Sequence, residues 1–544
     1  GTGNLVTGNT LNLSGANTVG ADVQNFASIN ITEAKWGSPT LTVSGSLSNG
    51  DGKPLPTIST EGVIIDVPLP WEKATGNSTN LIETTNGINA NYTPVSDIKQ
   101  EYVVNSTTVK NFVTGVEVDA AINCSIDFSA DKKVLAYTIT ANQASKLTFG
   151  DVEWKDSGAL LNHKTTLSNV SFDGAAVDTS NIKFTHIEEL AANKKMTLVS
   201  DFGNSVGTIT GTKYKVGSTL EGTGKASLVG NDLIFTADTV TSQEQTHNTV
   251  MGAEVGMAAL SAGNDFVGAA VDGLSMGSNT GTDGLATFAQ MGGGTMRQET
   301  GSHVNSHTWN AILALGHQNV KKSGTTEYGA FFEYGTGNYS TFNGDVRGDG
   351  SMHYTGGGLL GKWTSPRKDY IEGSIRLGSI KDDASNVLTD GTNTYGYNTS
   401  AGYYGFHLGY GKVFDYSGGR SLDVYGKFFY NHRNGVSFDA GGHYDLDAIN
   451  SQILRLGARY SMKTSDQWKW YGGLAYEYEF GGEATGTADG IAIRGASTKG
   501  GSLRAEVGAT ITQDDSPWTV DLNLTAFAGK KRGLTGGVGL KYNF

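Results

Sequence analysis

The last eleven residues alternate. Leu534, Gly536, Val538, Leu540, Tyr542 and Phe544 share one face of an extended chain, and Thr535, Gly537, Gly539, Lys541 and Asn543 share the other. A period of two puts successive side chains on opposite faces of a strand. The pattern recurs backwards through the C-terminal half. Trp518, Val520, Leu522 and Leu524 oppose Thr519, Asp521 and Asn523, and Leu503, Ala505 and Val507 oppose Arg504 and Glu506. Trp470, Leu474, Tyr476 and Tyr478 oppose Glu477 and Glu479, and Leu454, Leu456 and Ala458 oppose Arg455 and Arg459. Leu422, Val424 and Phe428 oppose Asp423 and Lys427, and Ile371, Ile375 and Leu377 oppose Glu372 and Arg376. Such strands need an apolar medium on one side and a polar one on the other.

Composition by itself points to a soluble protein. Only 37% of the 544 residues are hydrophobic, the formal net charge is -13, and no uncharged apolar run reaches the roughly 18 residues of a membrane helix. At about 150 residues per domain the length allows two to four domains. The 77 glycines show no G-X-Y period, which excludes collagen. One cysteine, Cys124, excludes an internal disulfide framework and a thiolate-rich metal site. The acidic balance argues against nucleic acid as a partner.

The order of residues argues otherwise. Apolar rows often begin or end in Trp, Tyr or Phe, as aromatic girdles at two bilayer interfaces require. The opposite rows carry charges of both signs in mid-strand, which suits an aqueous or plugged lumen. A soluble β-sandwich is the rival reading. The pattern therefore predicts an all-β protein with a twelve-stranded antiparallel transmembrane β-barrel, its strands beginning near 285, 304, 325, 348, 369, 398, 420, 443, 468, 496, 518 and 534. Short turns at 321–324, 365–368, 416–419 and 514–517 alternate with longer stretches at 383–397, 431–442 and 481–495, expected outside the cell. Glu372, Arg376, Asp423, Lys427, Arg455, Arg459, Glu477, Glu479, Arg504, Glu506 and Asp521 are the expected lumenal charges.

Residues 249–274 break the alternation. The run TVMGAEVGMAALSAGNDFVGAAVDGL is rich in Ala and Met, which favour helix. Gly252, Gly256, Gly263 and Gly268 keep it slim, and an α-helix is about 10–12 Å across. It is expected to thread the pore, with Glu254, Asp265 and Asp272 meeting Arg or Lys of the wall.

A β-rich N-terminal region, a small-residue helix at 249–274 and a barrel ending in Phe544 resemble a bacterial autotransporter (type V secretion). The resemblance implies that the barrel carries its own passenger to the surface of a Gram-negative cell and anchors it there, with the helix left in the pore. It implies outer-membrane lipid, the barrel-assembly machinery and periplasmic chaperones as partners, and a monomeric barrel. The outward Val538, Leu540, Tyr542 and Phe544 resemble the signal which that machinery reads. Some family members cut themselves at an Asn pair in the helix. Here only Asn264-Asp265 is offered, so an uncleaved passenger is expected.

Residues 1–240 are rich in Asn, Thr, Ser and Gly with short apolar bursts such as Ile29-Asn30-Ile31, Val63-Ile64-Ile65, Val103-Val104 and Leu233-Ile234-Phe235. Burst, turn, burst is the rhythm of a parallel β-helix without a fixed repeat length; a β-sandwich is again the rival. The expected domains are a solenoid stem at 1–180, a stem cap at 181–240 that resembles an autochaperone segment, a linker and pore helix at 241–284, and the barrel at 285–544. Flat polar faces suit adhesion to host or sister cells.

No H-E-x-x-H or P-loop pattern occurs, and no enzyme active site, metal or cofactor is expected. His303 and His307 share a strand face about 13 Å apart, too far to share a metal. His443, Asp445 and Asp447 read as a solvated rim. Arg347-Gly348-Asp349 falls in the predicted external connection between strands three and four and is short enough to occur by chance. The triplets at Asn77, Asn91 and Asn169 match a glycosylation sequon, which means little in a bacterial envelope protein. The sequence starts at Gly1 without a charged and apolar leader, so a signal peptide is expected to have been removed or never included. Other readings are a porin-like channel, or a secretion device for an enzymatic passenger lying upstream.

Overall fold

The computed structural model describes residues 6–67, 76–92, 99–102, 108–168, 170–185, 187, 190–275, 284–343, 346–513 and 516–544. Val103-Val104, Asn169 and the turn residues Asp514 and Asp515 lie outside them. The chain divides into two units, Gly1–Tyr214 with Gly222–Val240, and Lys215–Glu221 with Thr241–Phe544.

In the first unit the apolar bursts stack as parallel strands. Thr10–Leu13, Ser28–Ile31, Thr57–Ser59 and Asn91–Tyr92 form one ladder. Asn17–Val19, Leu41–Val43 and Ser78–Thr84 form a second, and Glu33–Lys35, Ile64–Val67 and Lys99–Tyr102 a third. Ile29, Leu47, Ile58, Val63 and Leu81 point inward and are buried. Thr108–Phe149 departs from the expected solenoid as an antiparallel meander, since Val116–Phe128 and Val134–Phe149 are far longer than a rung and pair with each other. Lys195–Ser200, Leu220–Val229 and Asp232–Ala237 likewise pair antiparallel.

The second unit is a closed barrel of twelve antiparallel strands. They are β1 (Gly284–Glu299), β2 (His303–Lys321), β3 (Gly324–Asn343), β4 (Val346–Thr364), β5 (Asp369–Thr389) and β6 (Thr394–Tyr416). The circuit continues with β7 (Arg420–Arg433), β8 (Ile449–Lys463), β9 (Trp468–Glu479), β10 (Gly500–Thr512), β11 (Trp518–Gly529) and β12 (Lys531–Asn543). The seam closes where Ala286 of β1 pairs Asn543 of β12. Outward residues form an apolar band. Leu474 is 71% exposed and Leu377 is 68%, values that a folded chain tolerates in rows only against lipid. Trp363, Trp468, Trp470, Trp518 and Phe544 border that band near the chain termini.

Three strand starts lie four or more residues from expectation, and the sixth strand begins at Thr394 rather than near 398. His443–Leu446 is a four-residue strand outside the barrel, too short to cross a bilayer, and the barrel strand begins at Ile449. Ala496–Ser497 pairs Glu483–Ala484, so β10 begins at Gly500. The stretch 383–397 is not a long loop either. β5 and β6 stay hydrogen-bonded through most of it, with a register shift between Ala384 and Leu388. Arg347-Gly348-Asp349 lies in β4 rather than in a connection, and Arg347 pairs with its own Asp349 at 2.9 Å.

At the rim opposite the termini, Val436–Asp439, His443–Leu446, Gly486–Ala488 and Ile491–Ala492 make a small sheet. Segment 215–221 joins it: Ser218 donates to Ala440 O at 2.6 Å, and Tyr444 donates to Ser218 O at 3.2 Å.

Candidate functional site

The helix His247–Ser275 occupies the lumen. At 1.5 Å per residue it is about 43 Å long, enough to run the depth of the barrel. It leans on the wall formed by β1 to β5. Near the terminal rim this contact is apolar: Val267, Ala270, Val271 and Leu274 pack on Phe288, Ile312, Phe331 and Leu360. On the other side, from β7 round to β2, a cavity of about 130 Å³ remains between helix and wall.

The wall charges fall in three levels. Nearest the terminal rim, Asp272 of the helix receives Lys362 Nζ at 2.9 Å and lies 3.7 Å from Arg459. Beside it, Glu372 has Lys427 at 2.6 Å, His407 Nε2 at 3.4 Å and Lys362 at 3.9 Å. In the middle, Asp265 of the helix meets Arg455 at 2.6 Å, and Arg455 also holds Glu477 at 2.6 Å. Glu506 bridges Arg459 at 2.6 Å and Arg504 at 2.7 Å. Higher up, Arg376 lies 3.4 Å from Glu333, which accepts the Tyr403 hydroxyl at 2.7 Å. Buried charges tolerate the loss of water only when paired or hydrogen-bonded, and nearly all of these are.

All of the expected lumenal charges point inside. Three carboxylates among them have partners other than a cation. Tyr370 donates to Asp423 at 3.0 Å, Tyr471 donates to Asp521 at 2.9 Å, and Glu479 accepts from the Ser451 hydroxyl and the Gln452 amide, each at 2.6 Å. Of the helix carboxylates, Asp265 and Asp272 meet wall cations as expected. Glu254 does not. It is buried at the loop rim, where Thr498 donates to it at 3.3 Å, and among the described residues no Lys or Arg forms an ion pair with it. The nearby Arg433 is turned instead to the carbonyl of Ala253.

Sequence reading missed Glu333, Lys362, Asp382, His407, Arg433 and Lys541 as site residues. Each lies on the inward face of its strand, so carrying the alternation through β3 to β7 would have found most of them. Ser374 Oγ lies 2.5 Å from His407 Nδ1, while His407 Nε2 and Glu372 stand 3.4 Å apart without a hydrogen bond. Neither Ser374 nor His407 lines the cavity, and His407 stacks on Phe429. His303 stacks on Phe342 rather than pairing with His307, and no group of three or more potential metal ligands exists among the described residues.

Residues 287–525 match the autotransporter β-domain family. The C-terminal unit is an autotransporter β-domain. As such it sits in the Gram-negative outer membrane and serves the export of the passenger that precedes it. Solved barrels similar to it include the β-domain of the Bordetella autotransporter BrkA, at 13% identity and TM-score 0.40 over 48% of this chain and 99% of that one. The translocator domain of NalP from Neisseria meningitidis gives 15% and 0.40 over 52% and 97%, and the transport unit of AIDA-I from Escherichia coli gives 14% and 0.37 over 49% and 92%. With such scores these structures add no weight to the family match. No curated protein matches the sequence. In the autotransporter, no helix among the described residues is long and apolar enough to cross a membrane; the crossing is made by strands.

The rim sheet carries a titratable clasp outside the membrane. His443 Nδ1 lies 2.7 Å from Asp439 and Nε2 lies 3.4 Å from Asp445, and the bond to Asp439 raises the imidazole above its ordinary value. A raised histidine stabilises fully below its unfolded value of about 6.5 and loses that contribution as pH rises through the folded one. The protection factors of amides 436–446, taken against the intrinsic exchange rate at each pH, should therefore be highest in mild acid and fall as His443 deprotonates. Equal protection from mild acid to mild alkali would contradict the clasp.

Proposed function

We propose that this autotransporter displays an adhesive passenger, built on a short β-solenoid, that stays attached to its barrel. The observation that carries the reading is the flush stacking of small polar side chains. Thr10, Ser28, Thr57 and Asn91 fall in register on one ladder, as do Asn12, Asn30 and Ser59. Asn30 donates to Asn12 at 2.9 Å, and Thr10 and Ser28 hydroxyls meet at 2.9 Å. A flat polar row of this kind offers repeated hydrogen-bonding groups to a glycan or to a second copy on a sister cell. The passenger is accordingly read as a binding surface rather than an enzyme, and the barrel as a monomer handled by periplasmic chaperones and the barrel-assembly machinery. Support for that last step lies in the C-terminal face: Val538, Leu540 and Phe544 point outward, and Tyr542 packs edge-on against Trp518 and Phe544, each at 4.8 Å.

One experiment covers both parts. Cells expressing the full chain should sediment together or adhere to glycan-coated surfaces more than vector cells. Protease added outside should end that behaviour and leave a barrel of about 30 kDa. Deleting Phe544 should remove the heat-modifiable barrel and the adhesion together. Cells that display the passenger yet neither aggregate nor adhere would refute the adhesive reading; normal assembly without Phe544 would refute the signal.

A further inference from the structure

Three wall cations donate to main-chain carbonyls of the helix, and Arg376 also donates through Nη1 to the side chain of Asn264 at 3.2 Å. Arg433 Nη1 donates to Ala253 O at 2.7 Å, Arg376 Nη2 to Leu260 O at 2.8 Å, and Lys541 Nζ to Leu274 O at 2.7 Å. All three are buried in the lumen. The accepting carbonyls lie seven and fourteen residues apart, and sevenfold spacing drifts only about 20° per step around a helix. From Ala253 to Leu274 they span about 31 Å of helix axis.

Leu274 O is one of the four carbonyls that a helix end leaves without a partner, and a cation there also complements the helix dipole. The other two are mid-helix carbonyls that accept through a second lone pair. They are reachable because the residue three positions on, whose Cβ leans back over them, is glycine in both cases. A Cβ at Gly256 would sit 3.1 Å from Arg433 Nη1, and one at Gly263 would sit 3.1 Å from Arg376 Nη1 and 2.5 Å from the Tyr354 hydroxyl. Arg376 is also held by the wall, between Glu333 and the ring of Tyr403 at 5.4 Å. Arg433 keeps a buried Nε hydrogen with no acceptor.

We propose that Arg433, Arg376 and Lys541 form a track of donors for main-chain carbonyls, which takes up the passenger in transit and has the helix as its last occupant. The ligand is unfolded polypeptide of any sequence, because the carbonyl is the one acceptor every residue carries. About nine residues of extended chain would cover the same 31 Å. Charge-assisted donors hold each carbonyl long enough to bias the chain against slipping back, yet make no demand on side chains. Contacts to side chains, such as Arg455 to Asp265, fit the resident helix alone.

The proposal rests on the export role of the β-domain, and the test separates the two. The full chain is pulse-labelled in cells, and passenger is scored by the time it becomes accessible to external protease. R376M with R433M should slow exposure about tenfold, the effect of losing one charged hydrogen bond at the limiting step. R376K with R433K should restore most of the rate, since an ammonium still donates. G256A with G263A crowds Arg433, Arg376 and Tyr354 only once the helix is seated, after the passenger has passed, so it should expose passenger at the wild-type rate while raising the conductance of the purified barrel in planar bilayers. Wild-type exposure kinetics in the methionine pair would overturn the track, as would slowing by the glycine pair equal to that by the methionine pair. If the methionine pair yields no heat-modifiable barrel, R376M alone carries the comparison on the same terms. A wild-type chain that never exposes its passenger would refute the export role itself.

Discussion

Replacing Glu372 by Gln is expected to destabilise the barrel by about 3–5 kcal/mol, the cost of breaking a buried ion pair from one side. Glu372 is inaccessible to solvent and is the counterion 2.6 Å from Lys427, which is itself buried. The amide keeps the shape of the carboxylate and removes only its charge, so the ammonium of Lys427 loses its nearest compensation. Lys362 and His407 lose theirs in part, although Lys362 retains Asp272 at 2.9 Å. Heat modification reads the result: the temperature at which the compact species converts to the unfolded one should fall well below that of the wild type. A double variant that also replaces Lys427 with Met should recover much of the loss, because both partners are then neutral. An unchanged midpoint in E372Q would show that the pair contributes nothing.

Deleting the helix His247–Ser275 from the full chain is expected to raise single-channel conductance on the order of tenfold, since a rod about 10–12 Å across leaves the lumen. With the helix in place, only the space beside it stays open, a cavity of about 130 Å³ crossed by the ion pairs of Arg455, Arg459 and Arg504. A porin-like channel would conduct freely in the wild type and change little on deletion, so equal conductance in the two would support that reading over a plugged translocator. The deletion also leaves wall cations without helix partners. The opened barrel should therefore be less stable than the parent as well as more conductive.

Much of this architecture was legible from alternation alone. Which face of β12 carries Leu534, Val538 and Leu540 and which carries Lys541 follows from a local rule, because a strand turns each residue half-way round from the last. The same rule placed Glu372, Arg376, Arg455 and Glu506 inside. It failed at His443–Leu446, where four alternating residues look like the start of a crossing strand. Only pairing with Val436–Asp439 and Gly486–Ala488 shows that they belong to a rim sheet. It also failed for Glu254, because alternation cannot show that Arg433 turns to the carbonyl of Ala253.

A twelve-stranded barrel, its lipid and lumen faces and a slim helix to fill it can all be read from the order of residues. All three depend on spacing between near neighbours in the chain. The partners emerge only in the closed barrel: Lys362 with Asp272, Arg455 with both Asp265 and Glu477, Arg433 with the carbonyl of Ala253. Those pairs join residues remote in sequence, and the stagger of the closed barrel together with the depth and rotation of the helix sets which of them meet. No local pattern records that geometry.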